Sequence, residues 1–157
     1  MSGKFYTESN KHYIDDGGPA MNMSFQEKSL WLIFASLIAV FGAYFSMVLP
    51  SSAPNVLPRQ VALFGVAVVL LVILQIVGQV VIALIDRRGD TDERDRLIGL
   101  IGTRNGAYVL ATGVCTALAS ALLIPGNFAF IHVLLGFWAL AQLVETGTQL
   151  VLYRRGS

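Results

Sequence analysis

The residues of this sequence that could do chemistry are few, and the most telling of them stand where charge is costly. Arg104 and Glu145 lie inside long apolar runs. A charged side chain at the centre of a membrane-spanning helix costs about 2.5–3.5 kcal/mol, so each requires a partner or a purpose. Arg104 is eight positions beyond Arg96, and Glu145 is nine positions before Arg154. At 1.5 Å per residue these are about 12 and 13 Å of helix. If the two runs are antiparallel neighbours, the two charges share one depth, and the spacing predicts an ion pair between Arg104 and Glu145. Further polar groups fall in the same layer: Asn105 beside Arg104, Gln149 and Gln142 flanking Glu145, and Gln79 in an earlier run, with Gln75 one turn farther. Trp138, Gln142, Glu145 and Gln149 follow a three-to-four spacing, a single stripe expected to face the interior of a bundle. The layer has a structural reading, interhelical hydrogen bonds of about 0.6 kcal/mol each and a charge pair that fixes register. It also has a functional one, a path for protons or ions or a site for a small polar ligand.

A second constellation is the stretch Asp86 to Arg96, with five acidic residues, four arginines and no lysine. Positive charge alone would hold a loop on one side of a membrane, so the acids ask for another explanation. Asp90 followed by Glu93 resembles a capping box, which would open a helix in water and carry Asp92, Glu93, Arg94, Asp95 and Arg96 as its first turns. Acidic groups there suit the positive end of the helix. The same residues form a candidate docking surface for a protein partner. Calcium is not expected, because the spacing and glycine of an EF-hand are missing and interleaved arginines repel a cation.

No catalytic set accompanies these groups, and the chain is not expected to be an enzyme. His132 has only His12 for company, in the polar tail. It is read as a satisfied histidine near one interface. Cys115, the one cysteine, sits among apolar residues and is read as packing. Neither a metal site nor a cofactor is expected.

The elements that position these groups follow from composition. The chain has 157 residues, 55% hydrophobic and 13% charged, with a net charge of +1 and a mean hydropathy of +0.65. A soluble domain of this size buries only about 60–70% of its surface and could not hide so much apolar side chain. Nothing in the charge points to direct nucleic-acid binding. Four apolar runs, about 29–49, 60–85, 97–124 and 128–152, each reach the 20 or so residues that span a bilayer. Pro50, Pro54 and Pro58 interrupt the first two, and Pro125-Gly126-Asn127 makes the last turn. In lipid only helices or closed barrels satisfy the backbone, and runs this long are helices. The expectation is an all-α, polytopic four-helix bundle over 25–157, preceded by a polar tail over 1–24. Lys and Arg gather in the tail, in the Asp86–Arg96 loop and after the fourth run, against Arg59 alone on the other side. The positive-inside rule then puts both termini in the cytoplasm. Gly102 and Gly106, with Gly113, Ala117 and Ala121, mark a face where a helix can approach closely, within the bundle or against another chain.

The stretch Asp92-Glu93-Arg94-Asp95-Arg96-Leu97-Ile98, followed by Arg104-Asn105-Gly106-Ala107-Tyr108-Val109-Leu110, resembles a group of small prokaryotic membrane proteins of unknown function. They too have four helices and a D-E-R-D motif opening the third. The resemblance covers roughly the second half of the chain and not the long N-terminal tail. It implies a bacterial or archaeal inner membrane and no known activity. Some such proteins resemble the membrane half of two-gene systems whose other half is a small DNA-binding regulator. The leading expectation is therefore an accessory or regulatory interaction subunit, using the charged loop and the small-residue helix faces. The alternative is a small transporter or ligand-binding module built on the Arg104/Glu145 layer. Expected partners are membrane lipid, a membrane or cytosolic protein, and a second copy of the chain.

Overall fold

The computed structural model describes residues 25–51, 53–85 and 93–155. The tail 1–24, most of the charged loop and Asp92 lie outside the described residues. All regular structure among the described residues is helical: α1 (Phe25–Val48), α2 (Pro58–Ile85), α3 (Glu93–Leu123) and α4 (Phe128–Arg155). Each helix is long and apolar enough to cross a membrane. The helices outrun the apolar stretches at several ends. Pro58, expected to belong to the loop, is the first residue of α2. That position suits proline, whose missing N–H would have had no partner there. Gln60 then accepts a hydrogen bond from the Leu57 backbone N–H at 2.9 Å, half of a capping box.

The four helices do not close evenly on one another. Within the described residues α1 approaches α2 and α4, while α3 approaches α4 alone. The order across the molecule is therefore α2, α1, α4, α3. The core centres on α1, where Leu37, Val40, Phe41, Tyr44 and Val48 are buried against Ala67 and Leu71 of α2 and Ala139 of α4. On α2 only Gln60, Ala67 and Leu71 are buried. Most of its Val, Leu and Ile side chains are exposed, which is the pattern of a helix bathed in an apolar solvent.

The α3–α4 hairpin is packed differently. The buried positions of α3 are Ile98, Gly102, Gly106, Gly113 and Ala117, so the glycine-rich face is turned to α4. A Cβ at Gly113 would overlap the Cβ of Phe137. One at Gly106 would lie 3.0 Å from the Ala141 carbonyl. Small residues let the two backbones close to this distance. The small-residue face is thus filled from within the chain.

The two hairpins are clasped at the turn end. Gly126 has φ +92°, and a Cβ there would run into the Pro54 backbone. The Phe128 N–H donates to the Pro54 carbonyl at 3.1 Å. Asn55 and Asn127 reciprocate: the Asn127 Oδ1 accepts from the Val56 N–H at 2.8 Å, and the Asn55 Oδ1 accepts from the Asn127 N–H at 3.4 Å.

Candidate functional site

The polar residues within the four helices separate into three groups. The first joins α3 to α4. The Thr103 hydroxyl donates to Glu145 Oε1 at 2.7 Å, a charge-assisted hydrogen bond when the carboxyl is ionised. Nearby the Asn105 amide donates to the Thr148 hydroxyl at 3.4 Å, which itself donates to the Val144 carbonyl at 2.7 Å. Gln149 lies over Gly102, and Glu145 lies over Gly106, whose missing Cβ would sit 3.1 Å from the Glu145 Cβ. The glycines are therefore what allow polar side chains of α4 to lie flat on α3.

The expected Arg104–Glu145 ion pair does not form. Arg104 is exposed, and Glu145 Oε1 is taken by the Thr103 hydroxyl. The reason is rotation. Gly102 faces α4, and two residues on, at about 100° each, Arg104 points to the opposite side of α3. Thr103 stands on the flank between them and takes the place at Glu145 that its neighbour was expected to fill. Tyr108, one turn from Arg104, is 67% exposed on the same outward side.

Gln79 forms the second group and is separate from Glu145. Its amide donates to the Ser29 hydroxyl of α1, within the α1–α2 contact. Gln142 is half-buried on the stripe between Trp138 and Glu145.

The third group lies at the far end of the bundle. His132 is 5% exposed. Its Nδ1 is 2.8 Å from the Phe128 carbonyl, and a carbonyl can only accept, so Nδ1 carries the proton. With the proton on Nδ1, the Nε2 of the imidazole is the acceptor for the Tyr44 hydroxyl, 3.1 Å away. Phe128 stacks on the imidazole at 4.1 Å. This is a satisfied structural histidine between α1 and α4, and Tyr44, which completes it, carried no signal in the sequence.

The opening of α3 is tied down as well. Asp95 accepts a hydrogen bond from the Tyr153 hydroxyl at 2.8 Å, pinning the start of α3 to the end of α4. Arg94 and Arg96 are exposed. Arg154 reaches α1 twice, with Nε 3.8 Å from Glu27 and its guanidinium 5.4 Å from the centre of the Trp31 ring. Charges at this end thus stitch α1, α3 and α4 together. Among the described residues no group of His, Cys, Asp or Glu could hold a metal ion.

No protein family matches the sequence, and neither a curated protein nor a solved structure matches it.

Proposed function

We propose that the chain is a non-enzymatic interaction subunit of a prokaryotic inner membrane, with both termini cytoplasmic. It docks a partner protein on the outward side of α3 and on the charged residues that open this helix. The observation that carries this reading is Arg104. It is exposed on the side of α3 away from α4, and no described residue pairs with it. It lies about 12 Å of helix beyond Arg96. A guanidinium at that depth is costly against lipid, and a partner helix bearing an acid or backbone carbonyls would relieve the cost. Arg96 and Arg94, exposed about two and three turns earlier, flank that side of α3 by about 80° each way and carry positive charge toward the helix opening. The small-residue face of α3 is engaged by α4, so the reading rests on Arg104 and the helix opening instead.

Native mass spectrometry of the protein, released gently from its own membrane, tests the proposal. The expected result is a second polypeptide in fixed stoichiometry that is lost from Arg104→Leu, while the thermal unfolding of the variant is preserved. A lone folded chain, or a complex indifferent to Arg104→Leu, overturns it.

A further inference from the structure

Because α2 approaches α1 alone, a groove of about 740 Å³ opens sideways between α2 and the α3–α4 hairpin. Its walls are apolar and rich in aromatic rings: Phe41 and Tyr44 of α1, Phe64 and Val68 of α2, Leu110 of α3 and Trp138 of α4. Trp138 stands edge-on to Phe41 with ring centres 5.5 Å apart.

Beyond the lining residues, polar ones follow along the same helix faces. Seven residues bring a helix back to within about 20° of the same face. Glu145 therefore lies on the flank of α4 that Trp138 presents to the groove, and Thr103 on the flank of α3 that carries Leu110. Both are about 10 Å farther along. On the α2 wall the same step from Val72, another lining residue, leads to Gln79, with Gln75 between them. Gln142 fills the step on α4. Thr103 is exposed, so the Thr103–Glu145 pair is reached from the side. The one hydrogen bond that Glu145 accepts from a side chain is that of Thr103. No cation of the described residues pairs with it, and Arg104 faces away.

The geometry points to a binding site for a lipophilic organic cation, independent of any docking on the other side of α3. Aromatic rings of the ligand lie in the Phe41–Trp138 groove. Its positive charge lies toward Glu145, the one carboxylate along that wall. A hydrocarbon chain alone would explain the groove but not a carboxyl group without a cationic partner about one to two turns beyond it on the same face of α4. Aromatic faces add attraction for a cation on its way in.

The test is equilibrium dialysis of the full chain in a non-ionic detergent with radiolabelled tetraphenylphosphonium, using neutral triphenylphosphine oxide as competitor. The expected result is saturable one-to-one binding of the cation and little displacement by the neutral compound. Binding should fall by about tenfold or more in Glu145→Gln, which keeps an acceptor for Thr103, and should weaken in Trp138→Ala. If Glu145→Gln does not fold, the preference of the native protein for the cation over the neutral competitor still decides. Absence of saturable binding, equal displacement by the neutral compound, or unchanged affinity in a folded Glu145→Gln overturns the site. So does a phospholipid that stays in the groove and cannot be displaced by the cation.

Discussion

The α1–α2 and α3–α4 hairpins have similar lengths and opposite constructions. In the second, glycines of α3 let α4 come so close that its Glu145 and Gln149 side chains lie against the α3 backbone. Hydrogen bonds from Thr103 and Asn105 then cross the gap. In the first, α2 is mostly Val, Leu and Ile, buries few of them, and meets α1 through Ala67, Leu71, Gly78 beneath the Leu32 side chain, and a single Gln79–Ser29 bond. Hydrophobicity drives a helix into lipid but does not pair it with another helix once there, because the lipid is as apolar as leucine. Close packing and polar contacts do that. The less hydrophobic hairpin is therefore the better packed one, and the most hydrophobic helix is the one left with open faces and a groove beside it.

The same substitution in the two hairpins separates these constructions most sharply. Gly113→Ala puts a methyl group onto the Phe137 Cβ, which cannot swing away, and should cost about 3 kcal/mol or more. Gly65→Ala on α2 meets nothing within 4 Å. It should be neutral or raise stability by about 0.5–1 kcal/mol through helix propensity. Thermal unfolding in detergent, followed by circular dichroism, gives both values. Equal losses in the two variants would break the comparison, since α2 would then be packed against something on that face.

The clasp between the hairpins comes next. Gly126→Ala combines a strained φ with a collision against Pro54, and a loss of about 2–3 kcal/mol is expected. Tyr44→Phe removes the donor to His132 and leaves a buried Nε2 unpartnered. A loss of about 1 kcal/mol is expected. If Tyr44→Phe costs nothing in the same unfolding experiment, His132 does not hold α1 to α4 as described.

How legible the molecule was depended on which coordinate of a helix mattered. The number of helices, their approximate ends and the Pro125–Asn127 turn follow from composition and punctuation, which act locally. Depth along a helix was legible too, since Arg104 and Glu145 do fall within one residue of the same level. Rotation is not contained in the rise per residue. Arg104 and Glu145 share a depth, but Gly102 and Gly106 mark the face of α3 that α4 takes, and the turn of about 100° per residue then brings Thr103, not Arg104, to Glu145. The separation of Gln79 from that layer was not legible, because it depends on which helices are neighbours. Sequence order says nothing about α1 standing between α2 and α4. The Tyr44–His132 and Asn55–Asn127 contacts were hidden for the same reason, as each joins residues far apart in the chain.

The smallest effect expected is at the other end of the α1–α2 contact. Gln79→Leu removes the bond to Ser29, and interhelical hydrogen bonds in membranes average about 0.6 kcal/mol. Ser29 can turn its hydroxyl to its own helix backbone, and leucine adds apolar contact, so the net loss should be below that average. Thr103→Val is the matching change in the other hairpin. It should cost more, because Glu145 has no comparable second donor among the described residues. The difference between the two losses measures how far α3–α4 is held by polar contacts and α1–α2 is not. If Gln79→Leu proves the more damaging, the Gln79–Ser29 bond is what keeps α2 beside α1. The open groove would then owe its shape to one hydrogen bond rather than to the packing of Ala67 and Leu71.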